Sequence, residues 1–260
     1  MTPQPVRVSP PAAGKRRSRQ QRFWSLRYEE DPAFFGRGAS PFARWAAPWL
    51  RRHRVQRVLE LGAGYGRDLR YLLEKGYDAR GVDNVRRGVS QGRASLSRFS
   101  PTPHAERRLT CGSAEACLAA QRPGSLDAVY SNLFLNMDYT EREHRRLLRA
   151  VHRSLRPGGL HLYSVRSVND PWYGRGVRRG PATFDLAPHG TTMHFFSERY
   201  VRSLAVGRFE VLRVEERSEG GRSFPTKVLY VVERKGPSRP PRGSGGRPKE
   251  DIPARTGARP

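Results

Sequence analysis

VLELGAGYGRD, residues 58–68, passes from an apolar run through three alternating glycines into a charged segment with helical spacing. The run over 56–61 predicts a buried strand. Residues 67–75 predict a helix, because Leu69, Leu72 and Leu73 share one face and Gly76 is placed to end it. Between the two, Gly62, Gly64 and Gly66 allow a ligand to approach the backbone closely. A dinucleotide fingerprint needs glycines at the first, third and sixth positions, but the sixth from Gly62 is Arg67. That spacing disfavours NAD and FAD.

The alternation continues outward from this stretch. Residues 79–83, 108–111 and 126–132 read as further strands, and Thr140 with Glu143 forms a capping box for a helix. Leu147, Leu148, Val151 and Leu155 line one face of that helix until Pro157, Gly158 and Gly159 stop it; residues 160–165 make a fifth strand. A polar, glycine-rich stretch fills 166–194. A helix capped by Ser197 and a hairpin-like pair over 209–215 and 227–233 close the pattern. Strands separated by helices imply right-handed crossovers and a parallel sheet covered on both faces, with ligands at the carboxyl ends of the strands.

The 260 residues hold 49 Lys+Arg against 24 Asp+Glu, a net charge of +25, which keeps acidic partners in play. Residues 1–22 and 235–260 are basic and rich in Pro, Ser or Gly, and read as disordered tails around a domain over 23–234. The domain keeps an excess of positive charge, yet no compact Lys/Arg stripe with interleaved aromatics stands out. No apolar run reaches the ~18 residues of a membrane span, and the prolines of the N-terminus argue against a secretory signal, so the expected compartment is the cytoplasm. Cys111 and Cys117 cannot make a disulfide framework, and the scattered histidines lack the spacing of a metal site.

An acid followed by Gly-x-Gly-x-Gly at the end of a first strand resembles the cofactor motif of class I S-adenosylmethionine-dependent methyltransferases. Other pieces fall in order: Asp83 ends the second strand, 23 residues after Glu60, and Arg156-Pro157-Gly158-Gly159 precedes the fifth. The resemblance covers about residues 55–234. It implies an α/β, Rossmann-like doubly wound sheet of seven mostly parallel strands with a closing antiparallel strand. S-adenosyl-L-methionine is the implied cofactor, at Glu60, Gly62, Ala63, Gly64, Gly66, Asp83, Asn84, Ser113, Ala114 and Asn132. Asp83 stands where the family holds the ribose hydroxyls, a task suited to a carboxylate that accepts two hydrogen bonds. The family's usual acid against the adenine amino group is absent: Gly112, Ser113 and Ala114 follow the third strand, leaving Ser113 or Glu115 for the role. GYGRD and His194-Phe195-Phe196 look similar to the tellurite-resistance-like small-molecule branch.

The implied activity is methyl transfer to a small-molecule oxygen, nitrogen or sulfur. Residues 23–50, with Trp24, Tyr28, Phe34 and Phe35, are expected as a lid, and 166–196 as an insertion over the acceptor site. Tyr28, Arg166 and His194 are the candidates for orienting or deprotonating the acceptor, with Tyr173 nearby. Each has a plainer role as a core or packed residue. One rival is an RNA-directed methyltransferase, suggested by the charge. Against it, residues 131–134 read Ser-Asn-Leu-Phe instead of the Asn/Asp-Pro-Pro-aromatic turn of base-amino methylation, and neither cysteine follows the fourth strand. A second rival is a non-catalytic cofactor-binding module.

Overall fold

The computed structural model describes residues 13–100, 102–186, 190–220 and 225–236. Two helices lead, α1 (Ala13–Glu30) and α2 (Pro41–Arg52). Ser40 starts α2 by accepting the Ala43 N–H, Pro41 supplies a preset first turn, and Phe42, Ala43, Ala46 and Leu50 make its buried face. Then come β1 (Arg57–Leu61), α3 (Arg67–Glu74), β2 (Asp78–Asp83), α4 (Arg86–Phe99), β3 (Leu109–Cys111), α5 (Ala114–Ala120), β4 (Leu126–Asn132), α6 (Glu141–Ser154) and β5 (Leu155–Arg166). The capping box of α6 is present as read from Thr140 and Glu143.

The main sheet has seven strands in the order β3-β2-β1-β4-β5-β10-β9, where β9 is Phe209–Glu219 and β10 Thr226–Lys235. β1 to β5 pair in parallel, and β10 runs antiparallel between β5 and β9. This is the expected Rossmann-like sheet with its closing antiparallel strand. Two apolar clusters cover its faces: α2, α3 and α4 through Phe42, Leu50, Leu69, Leu72 and Leu96, and α6 and the helix α7 (Glu198–Ala205) through Leu147, Leu148, Val151, Val201 and Leu204. β4 is buried along nearly its whole length, as a strand covered on both faces must be. At the opposite end of the strands from the site, Asp127 accepts the N–H groups of Gln56 and Arg57 and pairs with Arg156, tying β1, β4 and β5 together. Burial raises its pKa, but these donors outweigh burial and bring it to about 2.

Two sequence expectations change. Residues 13–22 are not a tail but the first half of α1: Gln20 donates to Thr191, Gln21 to the Asn84 carbonyl, and Arg19 pairs with Asp185. Composition hid this because those anchors lie far away in sequence. Lys235, read as the start of the second tail, ends a strand of the main sheet, and the rest of the tail readings, residues 1–12 and 237–260, lies outside the described residues. The stretch read as polar and glycine-rich contains a second sheet, β6 (Val177–Gly180), β7 (Thr183–Leu186) and β8 (Thr191–His194), over a small core of Phe184, Leu186 and Phe195. Its strands are four residues each, too short to give a visible alternation.

Candidate active site

The strand order reverses between β1 and β4, and a crevice opens at their carboxyl ends, the usual ligand position in such sheets. Its floor is the turn after β1. Gly62 and Ala63 donate their N–H groups to the Val82 carbonyl, and Gly64 donates to the Asp83 carboxylate at 2.9 Å. Gly62, Gly64 and Gly66 all have positive φ, the region open to glycine. A Cβ on Gly62 would lie 2.5 Å from Phe134 Cδ2, and one on Gly64 would lie 2.8 Å from the Tyr28 hydroxyl. Phe134 reaches this position because Leu133, directly after β4, adopts φ +54°, a strained value for a residue with a side chain. Its N–H is held by the Ser164 carbonyl and hydroxyl.

The cavity measures about 430 Å³. Nine of the ten residues expected to hold the cofactor line it: Glu60, Gly62, Ala63, Gly64, Asp83, Asn84, Ser113, Ala114 and Asn132. Gly66 does not. It turns the chain into α3, and a Cβ there would meet Leu109 and Leu96. Asp83 accepts N–H bonds at both oxygens, from Gly64 and Val85; burial raises its pKa against those donors. Ser113 caps α5 through the Ala116 N–H. Glu60 is buried and its Oε2 has no hydrogen-bond partner. Burial, then the neighbouring Asp68 and Asp83, push its carboxyl well up.

Asp68 was missed by sequence reading. Its carboxylate accepts the Ser40 N–H and hydroxyl at 2.7 Å each, the Tyr130 hydroxyl at 2.9 Å and the Asn132 amide at 3.3 Å, joining α2, α3 and β4 under the site. The remaining wall comes from Gln20, Gln21, Trp24, Tyr28 and Phe35 on the N-terminal segment and from Phe134, Met137, Asp138 and Tyr139 after β4. Gln20, Trp24 and Tyr28 fall at i, i+4, i+8 on α1, a stripe that could have been read from the sequence. Gln20 also accepts the Asp138 N–H, fastening α1 across the cavity.

Of the acceptor candidates, Tyr28 lies on the wall, and burial raises its pKa far above the usual phenol value. Arg166 and His194 do not line the cavity. Arg166 pairs with Asp170 at 3.4 Å. His194 is a packed histidine: Nδ1 meets the Thr183 hydroxyl at 2.8 Å, its ring lies against His144 and Phe196, and burial lowers its pKa to about 3. Tyr173 sits on Phe184 and Phe195, also away from the cavity. Among the described residues of 166–196, none lines the cavity; the segment braces α1 from outside through Thr191 and Asp185. No group of side chains suited to a metal is present among the described residues, and no described helix is long and apolar enough to cross a membrane.

Residues 58–159 match the family model of a methyltransferase domain. On this fold the match identifies the central part of the chain. Residues 58–159 are a methyltransferase domain, and the cofactor it supports is S-adenosylmethionine. A search of curated proteins finds none that matches it. Solved structures similar to this methyltransferase include the Burkholderia thailandensis 1,6-didemethyltoxoflavin-N1-methyltransferase, which holds 1,6-didemethyltoxoflavin and S-adenosylhomocysteine. It has a TM-score of 0.67 and 20% identity over 89% of this chain and 94% of that one. A Methanosarcina mazei S-adenosylmethionine-dependent methyltransferase gives 0.62 and 18% over 74% and 98%. The cyclase SpnF gives 0.62 and 15% over 90% and 100%, so the architecture by itself does not dictate the reaction.

Proposed function

We propose that this methyltransferase acts on a small, largely uncharged, flat acceptor enclosed in the cavity with the cofactor. Glu60, the glycine turn and Asp83 would hold S-adenosylmethionine, and the residues present fit it: a buried carboxyl with one unpartnered oxygen for its cationic groups, a backbone cradle, and a carboxylate with lone pairs left over for ribose hydroxyls. When bound, S-adenosylmethionine supplies an electrophilic methyl on a sulfonium. The observation that carries the acceptor reading is the rest of the cavity wall, made of Trp24, Tyr28, Phe35, Phe134 and Tyr139 with Gln20, Gln21, Met137 and Asp138. Aromatic faces exclude water and align a flat molecule, and the amide groups give it direction. The 1,6-didemethyltoxoflavin methyltransferase, a structural neighbour, supports a small acceptor of this kind.

The charge of the wall argues against a polyanion. Among the described residues five carboxyl side chains line the cavity, Glu60 and Asp83, which burial pushes up, with Asp68, Glu115 and Asp138, against one guanidinium, Arg67, which donates to the Phe35 carbonyl. An RNA phosphate finds no counter-charge there, although the outer surface remains basic. The same count disfavours a small oxyanion, so the tellurite-resistance-like branch enters this proposal only as a group of small-molecule enzymes. Among the described residues no histidine lines the cavity, and a phenol as strongly raised as Tyr28 keeps its proton, able to donate a hydrogen bond but not to act as a base. Acceleration then rests on positioning and exclusion of water, with an acceptor that is nucleophilic without a protein base.

The test is turnover with labelled S-adenosylmethionine against matched acceptors: uncharged nitrogen heterocycles and phenols, their carboxylated analogues, oxyanions of metalloids, and a structured RNA pool. Uncharged flat acceptors are expected to be methylated in preference to their anionic analogues. Preference for the RNA pool or the anions would overturn the reading. Cofactor binding without turnover on any acceptor would favour the non-catalytic module.

A further inference from the structure

The segment joining α1 to α2, residues 31–40, makes few backbone hydrogen bonds of its own beyond Phe34 to Asp31 and Gly36 to Ala33. Three successive carbonyls on it are nevertheless taken, each by a side chain from the turn and first helical turns after β1. Arg67 Nη1 donates to the Phe35 carbonyl, the Tyr65 hydroxyl to Gly36 at 2.8 Å, and Arg70 Nη2 to Arg37 at 2.7 Å. The Phe35 N–H returns a bond to the Tyr65 oxygen at 2.9 Å. Arg67 and Arg70, three apart, share a face of α3 and so meet neighbouring carbonyls of the turned strap.

The ring contacts continue from these polar ones. The Arg67 guanidinium lies 5.5 Å from the Phe35 ring centre, Phe35 lies 5.6 Å from Trp24, and Tyr65 meets Tyr28 edge-on at 5.7 Å. Phe35, Trp24 and Tyr28 are wall residues of the cavity. Packing alone would not need this arrangement, since water could satisfy carbonyls on an exposed strap. Three donors meeting three consecutive carbonyls fix its register.

We propose that Tyr65, Arg67 and Arg70 are positioning residues, a clasp by which the cofactor turn sets the aromatic wall. The proposal rests on the reading of the cavity as a combined cofactor and acceptor site. The turn and the wall behave as one body, so that occupation of the turn orders the surface an acceptor meets, and loosening the clasp frees α1 to swing away.

Hydrogen exchange of the ligand-free full chain tests the clasp apart from any cofactor. In an Arg67→Gln/Arg70→Gln double variant, amides over 31–40 are expected to exchange about tenfold faster, the loss of two charge-assisted hydrogen bonds, while those of β4 and β5 keep their rates. Arg67→Lys/Arg70→Lys should recover part of the protection. Arg37→Ala should leave it unchanged, because only the backbone carbonyl of Arg37 is used. Stopped-flow dissociation of S-adenosylhomocysteine should quicken by about tenfold in the double Gln variant. Unchanged exchange over 31–40, or equal acceleration in β4 and β5, would overturn the clasp; so would a local increase with no change in dissociation rate. If the wild-type chain fails to bind S-adenosylhomocysteine, the cofactor reading falls, and the positioning role falls with it, while the exchange data still decide whether the strap is clasped.

Discussion

Asp83 and Gly62 show how single residues set the cofactor end. Asp83 presents two oxygens already aligned by the Gly64 and Val85 N–H groups, so replacing it with Ala removes prearranged acceptors for hydroxyl donors. Affinity for S-adenosylmethionine is expected to fall roughly ten- to a hundredfold, measured by calorimetry, with the melting temperature little changed. Gly62→Ala acts differently, because its new methyl meets Phe134 at a positive φ. It should lower stability by about 1–3 kcal/mol and weaken cofactor binding together. Adding Phe134→Ala should recover part of the binding loss by clearing the methyl's path. These two positions were legible from the motif itself. Asp68 was not, since its partners Ser40, Tyr130 and Asn132 are brought to it by three different elements, and sequence spacing carries no trace of that convergence.

Among elements, the segment after β4 depends on a pair of buried histidines. His144 on α6 meets the Leu135 carbonyl at 2.7 Å and the Tyr200 hydroxyl of α7 at 2.9 Å, and its ring lies 5.1 Å from that of His194 on β8. Burial lowers His144 to about 4 and His194 to about 3, both below the ordinary 6.5. As pH falls below about 6.5 the unfolded chain binds protons that the folded one refuses, so stability declines from there toward pH 4, by up to about 1.4 kcal/mol per pH unit for each histidine. Above pH 7 neither contributes a slope. Denaturant titrations across pH 4–7 should show this limb, and His194→Gln, whose amide can still meet Thr183, should flatten it. The strands, helices and capping box of 56–165 were readable because each carries its own periodicity or cap. The three short strands of 177–194 and the start of α1 were not, since both are stabilised by contacts distant in sequence.

For the molecule as a whole, the sheet is finished at Lys235, whose ammonium binds the His152 and Leu155 carbonyls. Truncation of 237–260 is expected to leave melting temperature and cofactor affinity unchanged, whereas truncation of 1–22 removes Arg19, Gln20 and Gln21 and should weaken cofactor binding, both read by calorimetry. The acid-walled cavity of a chain with net charge +25 has a kinetic consequence. S-adenosylmethionine carries one net positive charge and its demethylated product none. The approaching cofactor is repelled by the basic exterior at long range and attracted only on arrival. Salt shortens the reach of that repulsion, to a screening length of about 8 Å at physiological strength. The bimolecular association rate of S-adenosylmethionine should therefore rise as salt is raised from about 0.01 M to about 0.15 M, while that of the product stays flat. A slower association with added salt would mean that the field of the acidic mouth reaches beyond the exterior. In either case product escapes without a charge to hold it, so the loss of the sulfonium at each turnover also clears the site for the next cofactor.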